Sequence, residues 1–213
     1  MNGQSPGWVA RGDWGSSYAR SSLGGIIGAM KDMTVVLGIP IPSSDPVFLA
    51  IVGVHVLFGL AAVITGAITM LIRKGRGRHS NLGTTYFWCL AGLFVTMGAL
   101  SIMRWAENYH LFALGTLSFI SAVLGRTAAR RHWGQWPRVH LTGMGTSYIF
   151  MLTAFYVDNG KTLPLWKELP QIAFWLLPAA VGVPLILHAF HRHPLVLAFD
   201  SQHGGVERRA RRV

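Results

Sequence analysis

His55 is an imidazole placed inside the uncharged apolar run Pro46–Ile72. An ionisable group at that depth in an apolar segment is costly to keep out of water, so it marks a functional position by default. Nine histidines occur along the chain. Neutral imidazole is a ligand for iron and other transition metals. Two imidazoles from facing helices can hold a haem, whose potential then follows from its axial ligands and burial. A buried histidine can also relay protons.

His79 and His140 carry the same chemistry in another setting. Each stands where a basic connection enters an apolar run, and each is followed by small and polar residues: Asn81, Gly83 and Tyr86 after His79, and Thr142, Gly143 and Met144 after His140. Both are expected to point inward at similar depth as an inner pair, with His188 as a competing partner. The candidate cofactor and metal ligands are therefore His55, His79 and His140, with His188 as a further cofactor contact and haem b as the suspected group. His110, His132, His191 and His193 are expected at wet boundaries, where a polar tip on an apolar body is stable. His203 belongs to a polar tail.

Helical spacing places His55, Gly59, Ala62, Gly66, Thr69 and Arg73 on one narrow stripe. Similar stripes run through Gly115, Ser118, Ala122, Gly125 and Ala129, and through His140, Gly143, Ser147, Met151, Ala154 and Asp158. Small residues permit close approach of a second backbone or a flat ligand, and tight packing of helices is the ordinary use of such seams. The single cysteine, Cys89, lies in an apolar run and is expected to pack as a small hydrophobe. Walker-type loops, dinucleotide fingerprints and zinc-protease motifs do not occur, so no catalytic residue is assigned.

The elements that must position these groups follow from composition. Of the 213 residues, 51% are hydrophobic and 13% charged, against roughly a quarter charged in soluble domains. The apolar runs predict an all-α integral membrane protein, a bundle of five transmembrane helices at 46–72, 84–103, 110–127, 139–157 and 169–190. Residues 1–45 form an extracytoplasmic or interfacial segment without a cleavable signal peptide, and its stretch Leu23–Ile41 is read as interfacial. Residues 46–193 are the membrane domain, and residues 194–213 a basic tail.

The net charge of +11 falls into short clusters between the apolar runs, which argues against a nucleic-acid partner. Arg73, Lys74, Arg76 and Arg78 fill the first connection, Arg126, Arg130, Arg131 and Arg138 the third, and Arg192, Arg208, Arg209, Arg211 and Arg212 the tail. The second and fourth connections hold only Arg104, and Lys161 with Lys167. The positive-inside rule then puts the N-terminus outside and the C-terminus in the cytoplasm. Membrane lipid is the expected environment, with acidic headgroups as alternative partners of the basic clusters.

Several segments resemble a bacterial family of predicted membrane proteins, domain-of-unknown-function family 2306. They are His55, the run Arg78-His79-Ser80-Asn81-Leu82-Gly83 with Tyr86, and His140 to Ile149 continuing through Leu152 to Asn159. The resemblance covers about residues 46–190 and departs at Ser80, where the family commonly carries Arg. It implies a multi-pass protein of a bacterial cytoplasmic (inner) membrane and no assigned activity. The arrangement also looks like the bundles of membrane b-type cytochromes, an analogy of architecture. Two functions are expected: a haem-binding or redox membrane protein, or a noncatalytic accessory or assembly subunit of a larger membrane protein complex. A small transporter with His55 in a proton path is a third.

Overall fold

The computed structural model describes residues 34–36, 39–41, 45–72, 77–164, 166–192 and 196. The chain divides into two compact units, residues 1–49 and 50–213. In the first, β1 (Thr34–Val36) pairs antiparallel with β2 (Ile39–Ile41), Val36 opposite Ile39 and Thr34 opposite Ile41. An interfacial segment and an all-α chain predict no strands here. Thr34, Val35, Val36, Ile39 and Ile41 are β-branched and favour the pleated conformation, which is the reason for the difference.

Five long helices follow: α1 (Pro46–Leu71), α2 (Arg78–Met103), α3 (Trp105–Arg131), α4 (Trp136–Asn159) and α5 (Gln171–Arg192). Asp45 caps α1, its carboxylate accepting the Val47 N–H at 2.9 Å, with Pro46 supplying a fixed φ at the first helical position. α3 closes on His132, which takes the left-handed conformation (φ 51°, ψ 49°), and a single 3-10 turn, Gly160–Thr162, follows α4. Pro178 and Pro184 lie inside α5.

The second, third and fourth helices outrun their apolar runs. α2 begins at Arg78 rather than near 84, and α3 covers 105–131 rather than 110–127. Helical hydrogen bonding does not require apolar side chains, so polar turns extend the helices beyond the apolar core. At 1.5 Å per residue, α2's 26 residues reach about 39 Å, longer than a hydrocarbon layer of about 30 Å.

Four of the five, α1, α2, α3 and α5, are long and apolar enough to cross a membrane. α4 is as long, but Thr142, Gly143, Gly145, Thr146 and Ser147 dilute its first half. Its polar content is spent on packing. A Cβ on Gly143 would lie 2.7 Å from the Gly125 Cα and from the Ser121 carbonyl oxygen of α3, so the two backbones touch. On the other side, Gly145 meets Ile186 and Gly182 meets Ile149, which seats α4 against α5.

The core lies between these seams, where Ala62, Tyr86, Leu90, Ala122 and Met151 are buried. The three small-residue stripes expected from sequence face inward here. Ala62, Gly66, Ser118, Ala122, Gly125, Ser147 and Met151 are all buried. Gly66 takes the rings of Tyr148 and Tyr86 against its bare backbone. Neighbouring helices meet in antiparallel order: Thr69 with His79 across α1–α2, Thr84 with Arg126 across α2–α3, and Gly125 with His140 across α3–α4.

Candidate functional site

His79 lies in the first turn of α2 and His140 begins the second turn of α4. Their rings meet edge-on, 6.5 Å between centroids and 79° between planes. Each is held from behind by a backbone carbonyl. The Nδ1–H of His79 donates to the Thr69 carbonyl at 3.2 Å. That carbonyl is one of the last four of α1, which have no partner within their own helix. The Nδ1–H of His140 donates to the Gly125 carbonyl at 3.0 Å. The second lone pair of that oxygen is reachable because Gly125 and Gly143 let the backbones close.

A carbonyl can only accept, so in both neutral rings the proton sits on Nδ1 and the lone pair on Nε2. An imidazole that ligates a metal is oriented in this way, its other N–H given to a carbonyl or carboxylate.

Beneath this pair lies a second level. Tyr86 follows His79 by two turns on the same face, and Ser147 and Tyr148 follow His140 likewise. The buried Tyr86 hydroxyl bonds the Ser147 hydroxyl at 2.8 Å. Ser147 Oγ donates to the Met144 carbonyl at 2.8 Å, so it accepts from Tyr86. Ser118 donates to the Ser147 carbonyl at 2.7 Å, and the Tyr148 hydroxyl to the Val63 carbonyl at 3.1 Å. These bonds tie α1, α2, α3 and α4 around the floor of the histidine pair.

The other histidines stand apart. His55 lies between α1 and α2, its Nδ1 2.9 Å from Thr96 Oγ1. The Thr96 hydroxyl donates to the carbonyls of Leu93 and Gly92, at 2.9 and 3.0 Å. His55 also hydrogen-bonds the backbone of Leu93. His110 stands at the far end, beside Asp158 of α4 and 6.3 Å from the Trp175 ring of α5. His132 is the α3 cap, edge-on to Trp136 at 5.5 Å. His188 is exposed on α5, and His191 donates back to the Leu187 carbonyl at 2.8 Å. His193 and His203 lie outside the described residues, as do Arg73 and the arginines of the tail.

The structure thus brings His79 and His140 together and sets His55 on a different pair of helices. Thr96, the contact of His55, is not evident from the sequence, where a threonine in an apolar run carries no signal. Its spacing of 17 residues from His79 on α2 places it toward the opposite end of the helix. Among the described residues no group of three or more histidine, cysteine or acidic side chains could enclose a metal ion.

Charge is divided between the two ends of the second unit. Arg78, Arg126, Arg130, Arg131, Arg138 and Arg192 gather at the histidine-pair end, where the described residues include no acid. Glu107, Asp158 and Glu168 stand at the other end with Arg104, Lys161 and Lys167. Comparison with protein-family models, curated proteins and solved structures finds no match to this chain.

Proposed function

We propose that this is a five-span protein of the bacterial cytoplasmic membrane that holds a haem between His79 and His140. The observation that carries the reading is the edge-on pair of rings, each with its Nδ1–H given to a carbonyl. The two ring centroids lie 6.5 Å apart.

The donor set also fits. Two imidazoles are too few for a structural zinc, which takes four protein ligands, whereas a porphyrin brings its own four equatorial nitrogens. His79 and His140 would hold the group, which would provide one-electron chemistry at the basic end of the bundle. Thr69 and Gly125 orient the ligands, and the Tyr86–Ser147 bond fixes the floor. The resemblance to domain-of-unknown-function family 2306 rests on His55 and on the segments that contain these two histidines.

Protein purified from haem-replete cells should show a Soret band and a pyridine haemochrome of about one haem per chain. His79→Ala and His140→Ala should each abolish the low-spin spectrum, while His188→Ala leaves it intact. Folded wild-type protein without colour would overturn the assignment.

A further inference from the structure

Arg126 of α3 lies over the Phe87 ring of α2, its guanidinium carbon 4.6 Å from the centroid. Its Nη1 donates to Thr84 Oγ1 at 3.3 Å. Arg130 is one turn further on the same face, close enough for the two charges to repel. Two neighbouring like charges, Arg126 fixed by Phe87 and Thr84 and Arg130 exposed beside it, with no acid at this end among the described residues, call for an anion between or beside them.

The depth selects the kind of anion. Arg126 is five residues from the end of α3, about 7.5 Å of helix. Each end of a 39 Å helix extends about 4–5 Å beyond a 30 Å hydrocarbon layer. The guanidinium therefore stands at the headgroup boundary, a few ångströms inside the hydrocarbon edge.

The groove continues from there as an aromatic ladder between α2 and α3. Phe87 packs against Phe119 (5.9 Å), Phe119 stacks on Phe94 (5.0 Å, 8° between planes), and Phe94 stacks on Phe112 (6.0 Å). These four phenylalanines are half-buried, so one edge of the ladder is open to the bilayer.

We infer that the α2–α3 groove is a site for one anionic glycerophospholipid, its phosphate on Arg126 and Arg130 with Thr84, and an acyl chain along the phenylalanine ladder. Arginine suits the role because its planar fork meets phosphate with paired hydrogen bonds while its face stacks on Phe87. The basic residues of a cytoplasmic rim attract acidic lipid in general. What distinguishes this pair is the built groove, in which the stacked ring and the threonine fix one guanidinium.

The test is lipid retention. Wild-type protein is exchanged in mild detergent into nanodiscs of phosphatidylcholine with phosphatidylglycerol, re-extracted, and its bound lipid quantified by mass spectrometry. Phosphatidylglycerol should be enriched over phosphatidylcholine in wild type and fall about tenfold in Arg126→Gln, as loss of a charge-assisted contact implies. Arg130→Gln should fall in the same direction, and Arg192→Gln, at the same end but outside the groove, should retain wild-type levels.

If Arg126→Gln fails to fold, Arg126→Lys and Arg130→Gln provide the comparison, lysine keeping the charge without the paired geometry. Three results would overturn the inference: equal retention of phosphatidylcholine, equal loss in Arg192→Gln, or a thermal stabilisation that inorganic phosphate reproduces in full. A carboxylate from elsewhere in the chain on Arg126 would make retention independent of both arginines, and that outcome would overturn it equally.

Discussion

At the residue scale, a single side chain at the floor of the histidine pair separates packing from polar satisfaction. The Tyr86 hydroxyl is enclosed, the residue 3% exposed, and its partner is Ser147 Oγ. Ser147→Ala leaves that hydroxyl buried without a partner, at a cost of about 1–3 kcal/mol. Tyr86→Phe removes the hydroxyl and leaves Ser147 bonded to the Met144 carbonyl, so its cost is nearer ~0.5–1.5 kcal/mol. Denaturant unfolding in micelles should rank the two in that order, and Tyr86→Phe should recover part of the loss when added to Ser147→Ala. The reverse ranking would show that Tyr86 matters by its ring alone. The pairing of His79 with His140 was legible in sequence because each histidine enters a span just after a basic connection. The partner of His55 was not legible, because helix rotation decides which of the many hydroxyls in apolar runs it meets.

At the element scale, the glycine seams were legible as stripes, while their partners depended on crossings that sequence does not display. Gly143 and Gly125 bring α4 onto α3 backbone to backbone. A new methyl at Gly143 has no flexible neighbour to displace. Gly92 differs, since its added Cβ would meet the Phe58 ring at 2.7 Å, and a ring can turn. Gly53 has nothing within 4 Å. Gly143→Ala should therefore cost about 1–3 kcal/mol through overpacking, Gly92→Ala less, and Gly53→Ala nothing, or a gain of about 0.5–1 kcal/mol from helix propensity. Thermal unfolding in one detergent tests the order. Because the Gly125 carbonyl holds His140, Gly143→Ala should also weaken any haem spectrum, an effect Gly92→Ala should not share. The same seam explains why α4 is less apolar than its neighbours: a helix that packs by small and hydroxyl-bearing residues carries less hydropathy over the same length.

At the scale of the whole molecule, the number of crossings and their direction rest on α4. If α4 spans the bilayer with the other four helices, the α3–α4 connection, which holds Gly134, and the α4–α5 connection, which holds Lys161, emerge on opposite sides. The division of charge makes the direction testable, since the positive-inside rule predicts a cytoplasmic position for the end carrying Arg126, Arg130, Arg131 and Arg138. Gly134→Cys and Lys161→Cys, each in a Cys89→Ser background, separate the possibilities with a membrane-impermeant maleimide. Lys161→Cys should label in intact spheroplasts and Gly134→Cys only after the membrane is opened. The same result at both positions, labelled or protected, would mean that α4 does not cross the bilayer, and labelling of Gly134→Cys alone would invert the protein. The second result bears on the proposed haem site as well, because it moves the His79–His140 end to the opposite face of the membrane.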